Sequence, residues 1–383
     1  MEGELAGRPP AAPSSDDGNA GDRRDAIDDA ERLDRLRLAR AEGVGPITYR
    51  KLLARFGTAA EAIDGLKTLG GRKRLSPASI DVMEAERDAI DRVGGRHVAL
   101  GEPDYPARLA RIDDPPPVLC AIGDLALAAR ETVAIVGGRN ASSAGRALAR
   151  QFAAGLGEAG CAVVSGLARG IDGAAHEASL EAGAIAVVAG GVDIVYPPEH
   201  GELQSEIARR GLLLSERPPG LKPTGRDFPR RNRIVSGLAR AVVVIEASAR
   251  SGTLITARLA AEQGRDVLAA PGSPLDPRSE GSNRLIRNGA GLVASVEDIL
   301  NALGDGASWS PSRLELEEEE IDEAPGDLTE AVREQLSHLP VHPDVVAREM
   351  GVASSIVGAA LVELVLMGEA VEEAGGYALS AEG

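Results

Sequence analysis

The chain has 383 residues, of which 43% are hydrophobic and only 2% aromatic, and its net charge is −17. That length allows two or three domains with cores built from Ala, Val, Leu and Ile, and the only two cysteines, Cys120 and Cys161, exclude a disulfide framework and give no paired metal spacing. No apolar run reaches membrane-spanning length and residues 1–25 hold no apolar core, so the expectation is a cytoplasmic protein with neither a membrane segment nor a secretory signal.

Residues 1–25, rich in Ala, Pro, Ser, Gly and Asp, are expected to be disordered. A helical pattern starts near Ala26, and "GVGPITYRKLLARFG" places a Gly-Pro turn between two helices. Helix continues to about Val93 with "GRKRLSP" as a break, which makes 26–95 a helical domain. "HVALGEPDYPARLARIDDPPPVLCAIGD" then reads as an extended, proline-rich stretch. From Glu131 short apolar runs alternate with helical stretches: "TVAIVG", "CAVVSG", "AIAVVAGG", "GLLLSE", "AVVVIEA" and "DVLAAPG". Continuous apolar runs suit strands covered on both faces. Separated by helices, they imply an α/β domain over 96–303 with an open parallel sheet. An acidic linker follows at 304–327, and 328–383 reads as three helices and a hairpin at Gly375-Gly376, the order of a winged helix.

Dividing the charge along this plan changes its meaning. Residues 1–130 hold 20 Lys/Arg against 23 Asp/Glu, 131–303 hold 19 against 18, and 304–383 hold 3 against 18. The acidity belongs to the tail, so the usual argument against a polyanionic partner applies there and not in the centre.

In open parallel sheets, ligands bind at the carboxyl ends of the strands, so the loops there are the place to search. The first, "VGGRNASSAG", fails the dinucleotide fingerprint because Arg139 stands where a third glycine must let pyrophosphate approach, and no phosphate-binding GKS/GKT loop occurs. Arg139, Ser142 and Ser143 instead open a helix whose N-terminus favours phosphate; capping explains the serines but not Arg139. In "SGLARGIDGAAHEAS", Arg169 tips the turn, and Asp172 with His176 is read as a dipole-stabilising acid and a packed imidazole. "GGVDIVYPPEHGEL" reads as structural. "DFPRRNRIVSG" gathers Arg230, Arg231 and Arg233 around Asn232, with Phe228 ahead of them. Ser251 and Thr253, beside Arg250, open another helix, as does Asn283 in "SEGSNRLIRNGAG". No nucleophile–base pair, carboxylate pair or metal cluster is visible, so neither an enzyme nor a cofactor is expected. Several phosphate positions along one edge, with one aromatic face, describe a strand of nucleic acid.

Together these loops resemble the DNA processing protein A family (DprA/Smf). The resemblance covers about 43–303 and rests on "GGRNASSAG", "SGLARGID" with its following AAH, "GGVDIVYPPE", "FPRRNRIVSGL", "EASARSGTLITA" and "SEGSNRLIRNGA", in that order. It implies an extended Rossmann-like domain that binds single-stranded DNA, forms a homodimer, and loads the RecA recombinase onto incoming strands in natural transformation. On that resemblance the candidate DNA-contacting residues are Arg139, Ser142, Arg169, Phe228, Arg230, Arg231, Asn232, Arg233, Ser251, Thr253 and Asn283. The N-terminal region looks like a SAM or helix-hairpin-helix module. The expected recognition helix of the winged helix, "SSIVGAALVELVLMG", has no Lys or Arg, which suits contact with a protein partner or a regulatory role better than entry into a groove. Two rival readings are a nucleotide phosphoribohydrolase-like enzyme on the same fold and a winged-helix DNA-binding regulator. The first lacks the PGG stretch and the acid after SGT, and the second lacks base-reading side chains.

Overall fold

The computed structural model describes residues 27–66, 76–304, 326–337, 340–352, 354–367, 369–373 and 376–380. The expected disordered segment 1–25 lies outside the described residues, as do 305–325 of the expected acidic linker.

Four helices come first: α1 (Asp29–Ala39), α2 (Pro46–Phe56), α3 (Ala59–Leu66) and α4 (Ile80–Arg92). Pro46 starts α2 where its missing N–H costs nothing, and Gly57 ends it with φ 87°, a conformation side chains resist. Leu38, Tyr49, Leu52, Ile63 and Leu66 form the small core of this module. Arg40, just past α1, joins it to the rest by donating to Glu86 of α4 (2.8 Å) and to the Glu216 carbonyl (3.1 Å).

The central sheet has nine strands: β1 (Arg96–Ala99), β2 (Val118–Gly123), β3 (Thr132–Gly137), β4 (Ala162–Ser165), β5 (Ala184–Val187), β6 (Leu212–Ser215), β7 (Ala241–Ile245), β8 (Asp266–Ala269) and β9 (Gly291–Leu292). Their order is β1-β2-β6-β5-β4-β3-β7-β8-β9. Seven strands are parallel, whereas β1 pairs antiparallel with β2 and β2 with β6. The sheet is thus mostly rather than wholly parallel, because the stretch read as merely extended supplies a two-strand antiparallel edge.

The crossovers are α5 (Ser143–Glu158), α6 (Ile171–Ser179), α7 (Gly201–Arg210), α8 (Asp227–Leu238), α9 (Gly252–Glu262) and α10 (Glu280–Arg287), followed by α11 (Val296–Gly304). Alternation along β3 decides which side each covers. Val133 and Ile135 pack with Phe152 and Leu156 of α5, Ile171 of α6 and Ile299 of α11. Ala134 and Val136 pack on the other face with Ile234 and Leu238 of α8 and Leu254 of α9. Every β3 residue is buried, which is why the strand reads as one apolar run. From β3 the chain steps outward through β4, β5 and β6, then returns to lay β7 on β3's other side. The order reverses between β3 and β7, and a crevice opens beyond their carboxyl ends at such a switch point.

The C-terminal unit consists of α12 (Gly326–Gln335), α13 (Pro343–Met350), α14 (Ser354–Met367) and the hairpin β10 (Ala370–Glu373) with β11 (Gly376–Leu379). Gly375 of the expected hairpin turn lies outside the described residues. The helix α12 begins two residues inside the expected linker, and α11 includes its first residue. Val357, Leu361 and Leu364 of α14 pack against Val332 and Val346, giving the winged helix its own core. Among the described residues no helix is long and apolar enough to cross a membrane.

Candidate nucleic-acid interface

Three chain segments meet at the switch point. The first is the turn after β3. Gly138 N–H donates to the Glu246 carbonyl (2.6 Å), and the Ser142 amide (2.8 Å) and hydroxyl both donate to the Glu246 carboxylate. Ser142 also caps α5 by accepting from Gly145 N–H (2.9 Å). The positive end of α5 therefore already holds an anion, and it belongs to the protein. Glu246 leaves β7 with φ 50°, an uncommon backbone for a residue with a side chain. Ser142, expected to contact DNA, here faces Glu246.

The second segment follows β4. Gly170 (φ 76°) lies so close to the first turn that a Cβ there would stand 2.3 Å from the Gly138 carbonyl oxygen. Ile171 N–H donates to that same oxygen (3.3 Å), so the two turns are joined. Asp172 accepts from the amides of Gly166 (3.1 Å) and Ala168 (3.3 Å), and burial raises its pKa. His176 is fully buried, and burial drives it down to about 3, so it is neutral. Arg169, at the tip, is exposed and pairs with Glu199, to which its Nη2 donates at 3.2 Å. Such a surface pair contributes about 0–1 kcal/mol and is readily exchanged.

The third is α8, where the sequence "DFPRRNRIVSG" was read as a loop and proves to be a helix. Consecutive residues of a helix point about 100° apart, so the arginines separate. Arg230 is exposed, while Arg231 and Arg233 are buried at 7% and 8% exposure. Arg231 donates to the carbonyls of Gly166 and Val187, the ends of β4 and β5. A side chain on Gly166 would collide with that guanidinium. Burial lowers Arg231 to about 10, against the pull of Asp172, and leaves it charged at neutral pH. Arg233 donates to both Glu216 oxygens (2.6 Å) and sits 3.3 Å from Asp114. Of the three arginines expected on a rim, only Arg230 is exposed. Asn232 is half-buried, and its carbonyl accepts from Ser236 (3.2 Å).

The remaining expected residues are also engaged within the fold. Thr253 is buried and donates to the Gly137 carbonyl (3.0 Å), while Ser251 caps α9 through Thr253 N–H (3.2 Å). Asn283 closes on Gly272 through both backbone groups (3.1 and 3.0 Å).

What faces outward is an arginine–aromatic assembly. The Arg139 guanidinium lies 5.2 Å from the Phe228 ring centroid, and the Tyr196 ring packs on Phe228 at 5.3 Å with a 53° tilt. Beside them a pocket of about 430 Å³ is lined by Ile194, Tyr196, Lys222, Pro223, Phe228 and, from the winged helix, Glu369. Lys222, Arg226, Arg230 and Arg250 are exposed, and among the described residues no carboxylate pairs with Arg139, Lys222, Arg226 or Arg230. Tyr196 belongs to the stretch expected to be only structural, and Glu246 is not among the expected site residues. A tyrosine in a chain with so few aromatics, and an acid closing the apolar run "AVVVIEA", were the available signals.

Glu86, His97 and Cys120 also converge, with ligand atoms all within 4.8 Å of one another. They do not fit a metal. Arg40 occupies the Glu86 carboxylate, which hydrogen bonds from His97 and Arg40 hold down to about 2 against burial, and burial pushes the Cys120 thiol up to about 12. The cluster is an ion-pair joint between the helical module and the sheet.

Known proteins match along the same lines. The family model for the DNA recombination-mediator protein A matches residues 96–304, that for a DprA-like N-terminal HHH domain 29–89, and that for a DprA winged helix domain 317–376. DNA processing protein DprA of Bacillus subtilis (strain 168) is 43% identical over 209 residues, which cover 54% of this chain and 70% of that protein. Protein Smf of Escherichia coli (strain K12) is 40% identical over 279 residues, covering 71% and 74%. The X-ray structure of DNA processing protein A from Streptococcus pneumoniae superposes with a TM-score of 0.60 at 36% identity, over 71% of this chain and 96% of that one. A structure of the Helicobacter pylori protein, described for its single-stranded DNA binding mode, gives 0.51 at 29% identity, over 55% and 96%. By its sequence, its sheet order and the extent of these matches, the chain belongs to the DNA recombination-mediator protein A family.

Proposed function

We propose that this recombination mediator, which is not an enzyme, binds single-stranded DNA in the switch-point crevice and, as a homodimer, loads the RecA recombinase onto the bound strand during DNA uptake and recombination. The observation that carries the DNA reading is Arg139 held over Phe228, with Tyr196 alongside, among exposed cations. An unpaired base offers a free π-face to a ring or a guanidinium plane, whereas duplex bases are already stacked on one another. The Helicobacter pylori relative's described single-stranded DNA binding supports the same reading. RecA loading and dimerisation rest on the family resemblance.

In this proposal Arg139, Arg169, Lys222, Arg226, Arg230 and Arg250 meet phosphates, and Phe228 and Tyr196 meet bases. Ser142, Arg231, Arg233, Ser251, Thr253 and Asn283 shape the crevice from behind, and Asn232 stands half-buried between Arg231 and Arg233 without an assigned DNA contact. Gel-shift binding of single-stranded against double-stranded DNA, followed by RecA filament formation on the coated strand, tests it. With six phosphates neutralised, log K is expected to fall against log salt with a slope of about −4. A slope near zero, or equal affinity for duplex, would remove the proposal.

Phe228→Ala is expected to weaken oligonucleotide binding by about 1–3 kcal/mol, the value of one stacked base. The same substitution unpins Arg139; that part of the loss is expected to fade at high salt along with the phosphate contacts, while the stacking part persists. Fluorescence anisotropy at two salt concentrations separates the two effects.

A further inference from the structure

Glu369 stands between α14 and β10, yet it lines the same pocket as Tyr196, Lys222 and Phe228. Its place is fixed locally. Glu369 N–H donates to the Leu364 carbonyl (2.9 Å), its own carbonyl accepts from Ser380 N–H (2.9 Å), and Arg333 lies 2.8 Å from its carboxylate. Burial and then Glu372 push the Tyr377 hydroxyl up, and Arg250, in the loop after β7, pulls the other way. The turn that enters the hairpin of the winged helix therefore lines the pocket beside Lys222, one of the cations assigned to phosphate.

The charges match this placement. Residues 328–383 hold nine acids and two bases, while Lys222, which shares the pocket with Glu369, has no carboxylate partner of its own among the described residues. We propose that the winged helix is an anionic competitor in cis, docked over the base pocket through Glu369 and displaced when a DNA strand enters. This inference rests on the single-stranded DNA reading above and adds a regulator to it. It also accounts for a helix α14 without Lys or Arg: the domain's partner is this chain's own basic crevice, not a duplex groove.

Displacement does not strain the chain. Twenty-one residues, 305–325, separate α11 from α12 and can span up to about 70 Å when extended. A tether of that kind keeps the domain at an effective concentration on the order of millimolar. A weak docking contact is then enough to close the crevice for most of the time, and the observed affinity for DNA falls by the fraction closed.

The test uses the full chain and a fluorescent oligo-dT strand followed by anisotropy. Glu369→Lys is expected to bind about three- to tenfold more tightly than the parent at moderate salt. Glu349→Lys, which adds the same charge on α13 outside the pocket lining, is expected to change affinity less than about twofold. A second variant carries Val195→Cys and Glu369→Cys, both in the pocket lining, so that a short bismaleimide can bridge the pocket; the native Cys120 and Cys161 are buried. The bridged protein is expected to lose at least about tenfold in affinity relative to the unbridged variant, and saturating oligo-dT is expected to block bridging. If bridging proceeds equally with and without DNA and Glu369→Lys matches the parent, the competitor is overturned while the DNA site stands. If the parent binds no single-stranded DNA, the functional reading falls and this inference with it.

Discussion

Arg139→Glu is expected to lower affinity for single-stranded DNA by about a hundredfold or more, corresponding to about 3 kcal/mol, and to leave the urea midpoint of unfolding nearly unchanged. The two halves of that expectation come from different observations. Arg139 is exposed, and its recorded partner is the Phe228 ring, so folding loses only a cation–π contact of about 0.5–1 kcal/mol. Binding loses far more. On the proposed DNA reading, the substitution removes a phosphate partner at the switch point, places a carboxylate against the incoming strand, and frees the Phe228 face from the cation packed on it. Glu246 and Asp172 already place carboxyl groups behind the same turns, and a third acid in front opposes the incoming strand. Anisotropy titration paired with urea denaturation checks both halves. Normal affinity in a folded variant would remove Arg139 from the site.

Much of the architecture was legible because the physics that hides a strand on both faces also writes it as an apolar run. Val133 to Val136, Val163 and Val164, and Val242 to Val244 announce themselves that way. The antiparallel strands β1 and β2 do not, because they flank a connection crowded with prolines, which reads as extended whether or not it pairs. At the site, Arg139 was visible because helix capping cannot explain a guanidinium. Ser142, 104 residues from its Glu246 partner, could not be separated from a phosphate ligand by any local rule. Both placements satisfy the same helix terminus, and only the fold shows which anion fills it. The arginines of α8 part for a simpler reason: charge density along a sequence becomes a surface patch in an extended loop, whereas a helix distributes neighbours around its circumference.

That distribution makes Arg230 and Arg231, adjacent in sequence, the sharpest pair to compare. Arg230→Ala is expected to leave stability within about 0.5 kcal/mol, because the side chain is exposed, and to reduce the salt slope of DNA binding by about 0.7, the share of one single-strand phosphate. Arg231→Met is expected to cost about 3–5 kcal/mol of stability. It strips the Gly166 and Val187 carbonyls of their donor and leaves Asp172 buried without the cation that opposes its desolvation. The pH dependence gives the pair a signature. Burial raises Asp172 in the folded protein and Arg231 restrains the rise, so losing Arg231 lifts the folded pKa further above the unfolded one. Between those two values the folded state binds more protons than the unfolded state, and stability falls as pH rises through the window. The deficit of Arg231→Met relative to the parent is therefore expected to be smaller at about pH 5 than at about pH 8. Urea denaturation at the two pH values, with Arg230→Ala as the reference, measures it. A deficit independent of pH would show that the carbonyl contacts alone hold Arg231 in place, and a loss of DNA binding without loss of stability would return Arg231 to the rim.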